Sequence, residues 1–219
     1  MTTLTTAPLA PLLKKLFADA EATTAKLRQE RANAPADAAA RGGQSGDYLA
    51  YYSRYKDYHL AVSPETGKLM YMLARSMAAR TAVEFGTSFG ISTLHLAAAL
   101  KDNGGGRVIT TEFEPSKIAH ARANLTAANL QELVEIREGD ALQTLARDLP
   151  RIDLVLLDGA KPLYLKVLDL LEPHLREGAM IVADNADWCP EYLARVRDRT
   201  KGYLSVPFTG DVELTMRAA

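Results

Sequence analysis

Asp158, Lys161 and Tyr164 stand at steps of three, and an Asp184–Asn185 pair follows at the end of a later apolar run. Two carboxylates and an amide oxygen are hard ligands for Mg²⁺, Mn²⁺ or Ca²⁺, cations that keep open positions for water or substrate. Singly, each of these residues serves equally as a helix cap or a loop hydrogen-bonder. Three oxygens gathered after adjacent strands favour a cation. Lys161 beside such a cation, partly out of water, suits a general base.

A second group lies upstream, in Val83-Glu-Phe-Gly-Thr-Ser-Phe-Gly-Ile-Ser-Thr93. Glycines at 86 and 90 between a strand and a helix let the backbone approach a ligand and aim helix N–H groups at it. A phosphate-binding turn has no use for a carboxylate there, because it would repel the ligand. Glu84 instead suits a ligand with an ammonium or sulfonium group, which points to S-adenosylmethionine (SAM). Ser88 stands where a nicotinamide-binding G-x-G-x-x-G turn needs its second glycine, and this disfavours an oxidoreductase. Glu112, at the end of the next strand, can accept from both ribose hydroxyls. Asp140 can cap a helix, accept from an adenine amino group, or do both.

Strands and helices alternate to position these groups. Leu9, Leu12, Leu13, Leu16, Phe17, Ala20 and Leu27 recur at helical spacing. That stripe covers its own domain or a second copy. Asn33 to Gly46 reads as a linker or mobile loop. Tyr48, Tyr51, Tyr52, Tyr55 and Tyr58 share one face of a helix, either packed on the core or forming a wall beside a planar substrate. Ser63 caps a helix that Pro64 begins. Strands are expected at 81–85, 107–113, 133–139, 152–158 and 179–185. Helices are expected at 91–100, 115–128, 140–149, 163–171 and 191–199. Two closing strands flank the Thr209–Asp211 turn as a hairpin. The alternation predicts a doubly wound, mostly parallel α/β sheet of seven strands with an antiparallel C-terminal hairpin strand and ligands at the strands' carboxyl ends. The 152–158 run is the most apolar, so it is expected at the centre.

The 219 residues suffice for one domain with a full core. With 26 basic and 27 acidic residues, the chain offers no field to attract nucleic acid. One cysteine, Cys189, fits a reducing compartment. No basic stretch precedes an apolar run at the N-terminus, and no run reaches membrane-spanning length, so a cytoplasmic protein is expected.

VEFGTSFGIST, the acid of TTEFEP, GDAL, LLDGAKPLY, VADN and PFTGDVELTMR together resemble the cation-dependent class I SAM O-methyltransferases of the catechol and caffeoyl-CoA type. The resemblance runs from about Ser63 to the C-terminus. It divides the chain into an N-terminal helical segment with loop and aromatic lid (1–60) and a Rossmann-like methyltransferase domain (61–219). It implies that Glu84 holds the methionine ammonium, Ser92 the methionine carboxylate, Glu112 the ribose and Asp140 the adenine side. Gly86, Phe113, Ala141 and Asp158 complete the cofactor contacts. Asp158, Asp184 and Asn185 would bind a divalent cation, Mg²⁺ foremost, with Lys161 as base. The implied reaction methylates a phenolic hydroxyl of a small ortho-dihydroxy aromatic, with a homodimer as the expected assembly. Gly159 and Ala160 replace larger side chains of the catechol enzymes, and 185–210 is short where the family carries a longer insertion. Trp188, with Tyr52, Tyr55 and Tyr164, is expected to supply acceptor contacts in its place. The alternatives are a metal-independent N- or O-methyltransferase, a nicotinamide-dependent oxidoreductase, and a SAM-binding module without catalysis, against which Lys161 argues.

Overall fold

The computed structural model describes residues 1–32 and 48–218, so the Asn33–Gly46 linker lies outside the described residues. Seven strands form one sheet: β1 (Thr81–Phe85), β2 (Arg107–Glu112), β3 (Val134–Glu138), β4 (Ile152–Leu157), β5 (Leu175–Ala183), β6 (Tyr203–Pro207) and β7 (Glu213–Arg217). Their order is β3-β2-β1-β4-β5-β7-β6. The first five run parallel, and β7 pairs antiparallel with both β5 and β6.

β4 is central, as its composition predicts. Leu154 and Leu156 enter the core on one face of the sheet, Val155 and Leu157 the core on the other. The strand order reverses between β1 and β4. The carboxyl ends of these two strands therefore open a crevice, where the turns after Phe85 and Leu157 face each other.

Helices α1 (Leu9–Ala32), α2 (Tyr48–Ser53), α3 (Pro64–Ser76), α4 (Ile91–Asp102), α5 (Pro115–Ala127), α6 (Ala141–Thr144), α7 (Tyr164–Leu171) and α8 (Pro190–Arg197) connect or cover the strands. Ser63 caps α3 by accepting from Thr66 N at 3.0 Å. The α1 stripe covers its own domain: Leu9, Leu13, Leu16 and Ala20 are buried in the core that Ala82, Val108 and Leu154 also enter.

Most element ends lie within two residues of their expected positions, but three segments differ more. The Tyr48–Tyr58 segment is helical only to Ser53 and continues in turns. An aromatic run has modest helix propensity and one short helix is marginal alone. Ring-edge contacts hold it instead, with Tyr51–Tyr52 centroids 5.1 Å apart and Tyr51–Tyr55 5.5 Å. The helix expected at 140–149 stops at Thr144. The Arg137 guanidinium donates to the carbonyls of Thr144, Arg147 and Asp148 and so replaces helical hydrogen bonds there. β5 begins at Leu175 rather than 179, because a register shift opposite Ile152–Leu154 and Gly178 at φ +74° admit an irregular first half.

Candidate functional site

The crevice holds a cavity of about 370 Å³. One wall comes from the turns after β1 and β2, the floor from the turns after β4 and β5, and the opposite wall from α2 and the residues after it. Gly86, Glu112, Phe113, Asp140, Ala141, Asp158, Lys161, Asp184, Asn185, Tyr52, Tyr55 and Trp188 line it, so most sequence-expected site residues converge. Glu84, Ser92 and Tyr164 do not line it.

Gly86 sits at φ +104°, and a Cβ there would lie 2.7 Å from the Asp158 carbonyl oxygen. Only glycine lets the β1 and β4 turns approach so closely. A Cβ at Gly159 would fall 2.4 Å from the Phe85 ring. The missing side chain at 159 is therefore complementary to a phenylalanine at the end of β1. Gly159→Ala should destabilise the protein by about 1–3 kcal/mol through overpacking, with most of that loss absent in a Phe85→Leu background. Urea unfolding of the four proteins measures this. An equal loss in both backgrounds would clear Phe85 as the cause.

Glu112 reaches the cavity at the end of β2 with its carboxylate already engaged. Oε1 accepts from Phe113 N and Glu114 N at 2.9 and 3.0 Å, and Oε2 accepts from Ser88 N at 2.9 Å. Of its roughly four acceptor positions, one is left for a ligand hydroxyl rather than the two the sequence reading expects. Asp140 caps α6 through Leu142 N at 3.0 Å and accepts the Tyr48 hydroxyl at 2.6 Å. The cap expected from sequence is present, and the second contact ties the aromatic segment to the cavity rim.

Glu84 lies beneath the crevice, fully buried. Its Oε2 accepts from the Thr93 and Thr110 hydroxyls, both at 2.5 Å, and its Oε1 has no hydrogen-bond partner among the described residues. Burial raises its pKa to about 7 against the lowering by the Ser92, Thr110 and Thr93 hydroxyls. In the unfolded chain the same group titrates near ~4.3. Between those values the folded protein retains a proton that the unfolded chain has lost, so stability falls as pH rises from about 4 to about 7. The size of this contribution is of the order of 3 kcal/mol. Glu84→Gln should remove that part of the pH dependence. Urea midpoints near pH ~5 and ~8 test it, and equal pH slopes in both proteins would contradict the assignment.

The floor gathers the acids. Asp158 follows β4, and Asp184 and Asn185 follow β5, with Asn185 at φ +51° turning the chain out of the strand. Lys161 Nζ lies 3.1 Å from Asp158 Oδ1, 2.7 Å from the Tyr164 hydroxyl and 3.2 Å from the Asp184 carbonyl. Burial raises the pKa of Asp158, opposed by Lys161. Burial, then the Asp158 charge, pushes Asp184 up to about 7. Asp211, whose place in a hairpin turn gives no sign of a site residue in the sequence, raises both. It also accepts from Asn185 Nδ2 at 2.6 Å. Because a carboxylate only accepts, this bond identifies the Asn185 amide nitrogen and leaves its Oδ1 as an acceptor.

Tyr164 corrects the expectation of an acceptor contact. It is 1% exposed, and its hydroxyl lies 2.7 Å from the carbonyls of both Leu157 and Asp184. It is a post that holds Lys161 between the β4 and β5 turns. Tyr52, by contrast, faces the cavity with its hydroxyl 3.3 Å from Lys161 N, and Trp188 is 62% exposed at the mouth. Ser92 lies in a small niche behind the β1 turn with Thr87, Ser88 and Phe89.

Among the described residues no group of three or more His, Cys, Asp or Glu side chains is placed to hold a metal. The set expected from sequence has two carboxylates and an amide. No helix among the described residues is long and apolar enough to cross a membrane.

A family described as a methyltransferase domain matches residues 83–186. The catechol O-methyltransferase of Niastella koreensis is 36% identical over 130 residues, 58% of this chain and 58% of that protein. Catechol O-methyltransferase B of Danio rerio is 30% identical over 176 residues, 76% of this chain and 66% of that protein. The chain thus spans less than two thirds of the length of these curated relatives. Among solved structures, the O-methyltransferase TomG of Streptomyces achromogenes in complex with SAM superposes with a TM-score of 0.64 at 28% identity. That match covers 82% of this chain and 93% of TomG.

Proposed function

The chain belongs to the class I O-methyltransferase family, and from that premise we propose that it transfers a methyl group from SAM to a phenolic oxygen of a small catechol-like acceptor, assisted by a divalent cation. The observation that carries this reading is the floor of the crevice. Two half-buried acids, of which Asp158 raises the pKa of Asp184, lie beside a lysine whose Nζ sits 3.1 Å from Asp158, and aromatic side chains face them across the cavity.

The donor set suits a hard cation. Asp158, Asp184 and Asn185 would hold it through oxygen, and it would relieve the repulsion that Asp158, Asp184 and Asp211 now share. A divalent cation supplies Lewis acidity to a chelating pair of adjacent oxygens, and SAM supplies a methyl group already attached to a good leaving group. The rest of the work falls to side chains of this chain. Lys161 takes the proton from the acceptor hydroxyl, and Asp158 and Tyr164 fix the position of its Nζ. A phenol has a pKa near ~10, so this proton must leave for the oxygen to become a good nucleophile. Gly86 and Gly159 keep the β1 and β4 turns close, so that donor and acceptor are aligned in one narrow crevice. Glu112 and Asp140 offer acceptors to the ribose and adenine groups, with Phe113 and Ala141 beside them. Glu84 touches no surface of this cavity, so its role toward the methionine ammonium would pass through the Ser92 niche. Tyr52, Tyr55 and Trp188 form the acceptor wall that replaces the longer family insertion.

Acceptor chemistry tests the proposal. Catechol should be methylated at least about 10²-fold more efficiently than phenol, since phenol offers one oxygen where chelation needs two. Product formation from paired acceptors at equal concentration measures this. Equal rates for catechol and phenol would sink the chelation reading. Trp188→Ala should raise KM for catechol severalfold while leaving affinity for S-adenosylhomocysteine unchanged, as titration of each ligand would show.

A further inference from the structure

Lys117 is a buried ammonium for which the reaction as described has no use. It lies in the first turn of α5, is 6% exposed, and lines the cavity between the β1 and β2 turns. Its Nζ reaches the Ser88 hydroxyl at a long 3.4 Å and passes 5.9 Å from the Phe89 ring centre. It makes no ion pair among the described residues. Glu112 attracts it most strongly, followed by Asp158, Glu114 and Asp57. Three backbone N–H groups nevertheless already occupy most of the Glu112 carboxylate's acceptor positions. Holding an ammonium out of water without a close counter-ion is costly, and such a group is a ready partner for an anion.

The methionine end of SAM carries one carboxylate besides its ammonium. Among the described residues, the lysines lining the cavity are Lys117 and Lys161. Lys161 is already fixed by Asp158 and Tyr164. Burial lowers the pKa of His59, which leaves that imidazole a weak anion partner. Ser92, which the family resemblance implies for the carboxylate, sits in the niche behind the β1 turn, and Ser88 borders both niche and cavity. We propose that Lys117, together with Ser88, binds the α-carboxylate of the methyl donor, placing a full charge where the resemblance implies a neutral hydroxyl. This inference rests on the reading of the crevice as a SAM site.

Calorimetric titration with two ligands tests it. The first ligand is S-adenosylhomocysteine. The second is its decarboxylated analogue, which keeps the adenosine, the sulfur and the amine. The wild-type protein should prefer the first by about 10- to 100-fold, the range expected for one charge-assisted contact. Lys117→Met should lose that factor for S-adenosylhomocysteine and change less than about twofold for the analogue, with Lys117→Arg regaining part of the loss. Equal losses for both ligands in Lys117→Met would mean that the lysine merely balances Glu112, and would overturn the inference. So would a wild-type protein that binds the two ligands alike, whatever the variants do. A wild-type protein that binds neither ligand would instead remove the SAM reading itself.

Discussion

Lys161→Met should lower kcat for catechol methylation by about 10²- to 10⁴-fold, the range seen when a positioned acid or base is removed. Affinity for S-adenosylhomocysteine should stay close to that of the wild type. The reason is local. Among the described residues, Nζ is the one basic group that the floor holds beside the acids, at 3.1 Å from Asp158, and Tyr164 and the Asp184 carbonyl complete its seat. Methionine keeps the length of the stem without a group able to take a proton. The loss should therefore appear in kcat with little change in KM. A variant that turns over at the wild-type rate would remove Lys161 from the reaction. A variant that loses ligand affinity in step with kcat would make it a binding residue.

Asp184→Asn should have opposite effects on activity and on stability. Burial and the Asp158 charge push the Asp184 carboxyl up to about 7. A carboxyl raised in this way destabilises the folded state once it ionises, so its cost is present above pH ~7 and vanishes towards pH ~4. In metal-free protein at pH ~8, the amide should raise stability by about 1–2 kcal/mol, because one of two repelling charges is gone. Activity should fall by at least about 10²-fold, since a hard cation loses a carboxylate ligand for a weaker amide. Mg²⁺ should stabilise the wild type against urea more than the variant, as expected when a ligand binds only the folded state. Loss of stability in the metal-free variant would show that Asp184 is a structural hydrogen-bonder, not a cation ligand kept at a cost in stability.

Local sequence patterns carried most of the fold. The β4 run is apolar at consecutive positions because both its faces are buried, and that made its central place legible. Ser63 with Pro64 marked the start of α3 because capping is settled within four residues. The floor of the site was legible for a similar reason: Asp158, Asp184 and Asn185 follow directly on strand ends and Lys161 lies in the turn after β4, so chain order alone places them on one rim. What sequence could not show depends on contacts made at a distance. Arg137 ends α6 early by taking carbonyls seven to eleven residues away. Tyr164 reads as an acceptor contact in a D-x-x-K-x-x-Y pattern, yet one helical turn carries it under the β4–β5 turns. Asp211 joins the acids because β7 inserts between β5 and β6, a pairing that hairpin spacing alone leaves open. Glu84 looked like a cavity acid, but the hydroxyls of Thr93 and Thr110 hold it below the turn.

The most direct measurement is the initial rate of methyl transfer from SAM to catechol by the purified protein, before and after chelation and again with added Mg²⁺. Transfer should fall by at least about 10²-fold on chelation and return with the cation. An undiminished rate in chelator would contradict the joint use of Asp158, Asp184 and Asn185 as a cation site, and the metal-independent alternative would take its place.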